Sequence, residues 1–280
     1  MTLRSISFRR ASNLMATLLM GTATILVLLP LVIIFYHIIK MGISSINLGF
    51  FTSIPQPPGE AGGGMANGIA GSGIMIGMAS LAGLPVGIFG AIYLTEYGTG
   101  RLATAIRFCA DVLSGIPSII TGMVAYSLLV VPLKGFSALA GSFALSLIMV
   151  PIVLRTTEEQ LKMVPATLRE ASLALGVPLW RTSIKVTLRS ALTGVITGVL
   201  LAIARVAGET APLLFTALGN QFWSRKLTEP MAALPLQIFN FAISPYEDWH
   251  RLAWAGALVL VVLMFGLSLA ARWLGRTKQS

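Results

Sequence analysis

The sequence predicts an all-α, polytopic membrane protein with six transmembrane helices. Hydrophobic residues make up 55% and charged residues only 11% of its 280 positions, and the mean hydropathy is +0.84, far above a soluble domain of that length. Six apolar runs reach the roughly 20 residues that cross a bilayer core. Their borders, rather than their interiors, hold nearly all the charge.

The first run, Leu14 to Ile39, follows Arg4, Arg9 and Arg10 and so begins like a signal peptide. It is too long for such an apolar region and no small-residue cleavage site closes it, so it reads as a retained span behind a short segment, residues 1–13. The second, Ile69 to Leu94, is led in by GEAGGGMANGIAGSG (Gly59 to Gly73), whose small residues suit either close helix approach or a flexible lead. The third is Phe108 to Val131. Asp111 follows Arg107 by four residues at its border, which predicts an interfacial ion pair or a helix-start interaction rather than a pathway role, and Pro85 and Pro117 predict kinks in spans two and three. The last three runs are Phe136 to Leu154, Ala191 to Leu218 and Leu252 to Leu274, completing a six-helix domain over 14–280. Two long loops, 155–190 and 219–251, interrupt it; the second carries Phe222, Trp223, Phe239, Phe241, Tyr246 and Trp249, which suit a protein interface or an aromatic belt.

The formal charge of +10 does not indicate nucleic acid, because the basic residues are scattered at span ends without a block or an aromatic RNA-binding motif. It indicates topology. With six spans the N-terminus, 95–107, 155–190 and the C-terminus share one side and hold fourteen Lys and Arg against five on the other, placing both termini in the cytoplasm. Arg205 alone is left inside a span. A single Cys109 excludes an internal disulfide, and His37 and His250 lack metal-ligand spacing.

Loop 155–190 parses into two short helices. Pro165 starts the first, Gly176 closes it as a left-handed cap and Pro178 opens the second. Leu168, Ala171, Ser172 and Leu175 form a small apolar face beside Arg169 and Glu170. On the second helix a stripe of Trp180, Ile184 and Leu188 runs beside Arg181, Lys185 and Arg189, a basic stripe suited to membrane lipid phosphates. No Gly-Lys dipeptide exists in the chain, so a P-loop for ATP is excluded.

Arg205 and Glu209 are four apart in an apolar run and so share a helix face. Counted from Ala191, Arg205 lies about 21 Å along the span, where an isolated arginine costs about 2.5–3.5 kcal/mol. The pair is expected to face a protein interior or a wet pathway, with Gly208 admitting a neighbouring helix and Pro212 loosening the backbone. A guanidinium fork matches phosphate oxygens. A carboxylate accepts a proton from a P–OH group but only repels sulfate, which favours phosphate.

The string Glu170-Ala171-Ser172-x3-Gly176, followed by Val186-x-Leu188, resembles the EAA loop of ABC-importer permeases, with Ser172, Val186 and Arg189 in place of alanine, isoleucine and proline. The resemblance implies a coupling helix that docks on a separate ATPase through Leu168, Glu170, Ala171, Ser172, Leu175 and Gly176. The strings ARVAGETAPLLFTALGNQFW from Ala204, GIFGAIYLTEY from Gly87, ADVLSGIPSIITG from Ala110 and LPLQIFNFAISPY from Leu234 resemble phosphate-specific ABC importer permeases of the PstA type. That family implies a type I, MetI-like permease fold and a non-catalytic subunit of the bacterial inner membrane without a cofactor of its own. It also implies a sister permease, two ATPase subunits holding ATP and magnesium, a periplasmic phosphate-binding protein, and a pathway through Arg205, Glu209 and Thr210. The alternatives are a permease for another oxyanion and a proton-coupled secondary transporter using Arg205 and Glu209.

Overall fold

A computed structural model describes residues 3–60 and 62–276 of the chain, with side chains from residue 8 to residue 273. Met1, Thr2, Ala61 and residues 277–280, including Lys278 of the topology count, lie outside the described residues. The helices in chain order are α1 (Leu3–Gly42), α2 (Leu48–Thr52), α3 (Ala66–Ile92), α4 (Arg101–Gly115), α5 (Ser118–Ala125), α6 (Val131–Leu133), α7 (Ala138–Lys162), α8 (Ala166–Ala174), α9 (Leu179–Thr182), α10 (Arg189–Ala207), α11 (Ala211–Leu214), α12 (Leu234–Ala242) and α13 (Glu247–Arg276). π-helical turns continue α3 (Tyr93–Tyr97), join α5 to α6 (Tyr126–Val130) and join α9 to α10 (Ser183–Leu188). Among the described residues, five helices are long and apolar enough to cross a membrane, and a bent pair makes a sixth.

The bundle is organised around α3 and α7. Met75, Ala79, Gly83, Gly87 and Ala91 recur every fourth residue and are all buried, a stripe of mostly small side chains that lets backbones approach in a bilayer, where lipid is as apolar as the core. A Cβ on Gly87 would come within 2.8 Å of the Val153 side chain. Close approach is therefore what small residues provide here, and the stripe extends well past the Gly59–Gly73 lead-in. Leu145, Met149 and Val153 fill the α7 side of this core, with Val206 of α10 and Leu213 of α11. By contrast α1 meets the bundle only near its end, where His37 sits edge-on to Trp254 with ring centroids 4.9 Å apart.

Two spans depart from their expected form. The third is not one helix: α4 and the α5–α6 segment meet at 107°. Ile116 is extended (φ −72°, ψ 133°) and Pro117 follows; a proline lacks the amide hydrogen and disfavours helical backbone in the residue before it. The kink foreseen at Pro117 is thus a corner, while Pro85 lies inside a continuous α3. The fifth span starts earlier and stops sooner than Ala191 to Leu218. It runs from Leu179 to Ala207, and Gly208 caps it three residues before a short α11 that holds Pro212.

Loop 219–251 is also more structured than a free aromatic loop. It contains α12 and the first turn of α13, and Phe241 is buried in a face-to-face stack with Trp249 at 4.6 Å. Phe222, Trp223 and Phe239 remain exposed.

Candidate functional site

Arg205 occupies the last turn of α10. Glu209 does not continue that helix; it sits in the turn beyond, its amide donating to the Val206 carbonyl at 3.1 Å. The two side chains nevertheless reach one space, an open cleft of about 450 Å³. Its other wall is the corner of the third span, with Ser114, Pro117, Ser118 and Thr121. Close approach holds that wall in place. A Cβ on Gly122 of α5 would lie 2.6 Å from the backbone of Pro212, so α5 and α11 touch main chain to main chain. Gly208, expected to admit a helix, instead ends one; the nearest side chain, Met264, is at ordinary contact distance.

Neither Arg205 nor Glu209 makes a side-chain hydrogen bond or ion pair among the described residues, and Arg205 is exposed on the isolated chain. Among the described residues these charges form no salt bridge that would fix the fifth span to another helix of the chain. The cleft offers an anion a guanidinium fork, serine hydroxyls and the start of α5, whose dipole is positive at that end. Thr210 is not on the wall of the cleft; its carbonyl accepts the Leu213 and Leu214 amides instead.

The loop singled out by sequence forms a second site. α8 closes as foreseen: Gly176 has φ +77°, its amide donates to Leu173 O at 2.9 Å, and the Val177 amide reaches Ser172 O at 3.3 Å. These two bonds make a Schellman cap, which needs a residue tolerant of left-handed backbone. Leu168, Glu170, Ala171, Leu175 and Gly176 are all exposed, Leu175 at 85%. Ser172 is not with them. It is turned inward, its hydroxyl 2.9 Å from that of Thr182, so it braces α8 against α9 rather than facing out. The second helix of the loop runs without interruption into the fifth span through the π-turn, at the place where the related motif has proline.

Between the two sites lies an ionic cluster that sequence reasoning missed. Glu158 on α7 is almost fully buried and contacts Arg107 Nε at 2.7 Å, Lys162 Nζ at 2.7 Å and Arg155 at 3.2 Å. Arg155 in turn pairs with Asp111, its Nε 2.9 Å from Oδ1. Asp111 is thus in an ion pair, but with Arg155 across the α4–α7 contact and not with Arg107 on its own helix. The i,i+3 and i,i+4 spacing of Arg155, Glu158 and Lys162 was legible; the arrival of Arg107 from another helix was not.

Residues 83–279 match the family described as binding-protein-dependent transport system inner membrane component. The chain is 48% identical over 95% of its length, and 90% of the relative's, to a phosphate transport system permease protein PstA of Yersinia pestis. To PstA 1 of Mycobacterium tuberculosis it is 37% identical, over 94% of this chain and 88% of that one. Among solved structures, a bacterial alginate ABC transporter in complex with an alginate-bound periplasmic protein aligns with a TM-score of 0.66 at 14% identity, covering 96% of each chain. The inward-facing MetNI methionine transporter aligns at 0.58 and 21% identity, over 74% of this chain and 90% of that one. At those identities the structures share a fold.

Proposed function

The chain belongs to the inner-membrane components of binding-protein-dependent transport systems, and from that premise we propose that it is the permease subunit of an ATP-driven phosphate importer. The supporting observation is the cleft: Arg205 and Glu209 line one open space and have no side-chain partner among the described residues. The curated relatives at 37–49% identity carry phosphate transport in their names. In this reading a sister permease closes the exposed side of the cleft and both termini lie in the cytoplasm. A periplasmic binding protein delivers phosphate, and Arg205 holds it by a charge-assisted fork while Glu209 accepts a hydrogen bond from its P–OH group. The hold must be weak, because a deep site would slow release.

α8 supplies the energy input. Its exposed face of Leu168, Glu170, Ala171, Leu175 and Gly176 docks on the ATPase, and Ser172 keeps α8 and α9 moving as one body. The test is reconstitution with sister permease, ATPase and binding protein in proteoliposomes, followed by uptake of labelled phosphate and, separately, labelled sulfate. Phosphate alone should accumulate, and only with ATP. Exposed Glu170→Ala should depress that uptake; a proton-coupled carrier would be indifferent to it, and undiminished ATP-dependent uptake would remove α8 from the coupling surface.

A further inference from the structure

The π-turn Tyr93–Tyr97 at the end of α3 is gripped from two directions. Arg169 of α8 reaches it from the docking loop: its Nε lies 3.2 Å from Glu96 Oε1, and its Nη2 donates to Leu161 O of α7 at 2.7 Å. Arg107 of α4 reaches it from the opposite side, donating to Leu94 O at 2.8 Å while its Nε holds Glu158. One turn of backbone therefore touches both the docking helix and the helix whose far end builds the cleft. α4 is a rod of 15 residues, about 22 Å long, and Leu113 to Gly115 at its end lie on the cleft wall beside the Pro117 corner. α4 thus links Arg107 to that wall along one unbroken helix.

The two grips differ in hydrogen bonding. Arg107 makes aligned hydrogen bonds to both of its partners. Glu96 Oε1 and Arg169 Nε attract each other across 3.2 Å, yet both atoms are buried with no aligned hydrogen bond among the described residues. The Glu96 side chain is only 4% exposed, so the pair is held by charge in a site closed to bulk water. π-turns are rare insertions that concentrate at functional positions.

We propose that this π-turn is the joint carrying movement of α8 to the cleft, with Glu96 and Arg169 as positioning residues on the input side and Arg107 on the output side. The proposal rests on the importer reading above. It predicts that severing the joint uncouples ATP use from transport without removing the ATPase, because Arg169 points inward and away from the exposed face of α8.

The measurement is the number of ATP molecules hydrolysed per labelled phosphate imported by the full reconstituted complex, with ATPase retention scored by co-purification. Glu96→Gln keeps the shape and removes the charge; Arg169→Ala removes the partner. Both should raise the ratio about threefold or more, and the exchanged pair Glu96→Arg with Arg169→Glu should bring it back toward wild type. A wild-type complex that moves no phosphate would sink the importer reading and the joint together. If wild type transports tightly and Glu96→Gln stays equally tight, the joint alone is overturned. Failure of Glu96→Gln to assemble would make the pair a folding element and overturn it too.

Discussion

Glu158 lies in contact with three cations from two helices, whereas Arg205 and Glu209, farther along the bundle, share a cleft and meet no charged partner among the described residues. Both groups confront the same difficulty, since an ion without partners in an apolar bundle is costly. The cluster resolves it inside the chain, with hydrogen bonds on both carboxylate oxygens of Glu158. The cleft leaves it to be resolved from outside, by water, by another subunit or by an anion in passage. Satisfied charges hold α4 to α7; unsatisfied ones mark where something else must come. A charge inside a membrane protein is thus better judged by its partners than by its depth.

The widest separation of the two regions should come from Glu158→Gln. That change keeps the shape but leaves Arg107, Arg155 and Lys162 facing one another without their shared anion. Removing one member of a buried ionic group costs about 3–5 kcal/mol; partial exposure of the cations, 28–55%, lowers the expectation to about 2–3 kcal/mol. A thermal unfolding scan in detergent should show the loss. Arg205→Gln should do the reverse, leaving the melting temperature within error while phosphate uptake falls about 10- to 100-fold, the worth of one charged hydrogen-bonding group of about 1.5–3 kcal/mol. If Arg205→Gln instead destabilised the protein as much as Glu158→Gln, the contrast would collapse and Arg205 would be scaffolding.

How much of this was legible follows from the range of the forces involved. Hydropathy sums over twenty residues, so all six spans were visible as apolar runs, five of them single helices and the third a bent pair, and Gly176 announced its cap because left-handed backbone is a local demand. Arg205 and Glu209 were visible as charges in an apolar run. Their geometry was not, because helical spacing assumes that the helix continues, and Gly208 ends it between them. The pairing of Asp111 failed for a related reason. Arg107 was the neighbour in sequence, but α7 brought Arg155 to Asp111 and gave Arg107 a deeper partner in Glu158. Ser172 read as part of an exposed face because only contact with Thr182, ten residues on, turns it inward.

The smallest of these effects tests whether burial, rather than pairing itself, decides the worth of the cluster. Asp111 presents both carboxylate oxygens to Arg155, a two-pronged geometry that is usually the strong form of an ion pair. Its side chain is 62% exposed, however, against 2% for Glu158. Solvent screens such a pair to about 0.2–1 kcal/mol, and Arg155 keeps Glu158 as a second partner when Asp111 is lost. Asp111→Asn should therefore shift the unfolding temperature far less than Glu158→Gln and leave uptake unchanged. Because surface pairs weaken with ionic strength, the small shift should shrink further in high salt while the Glu158→Gln shift persists. An Asp111→Asn loss as large and as salt-insensitive as that of Glu158→Gln would mean that the whole chain from Asp111 through Arg155 to Arg107 acts as one cooperative network. The boundary between locked and open charges would then have to be drawn around the network instead of around its buried centre.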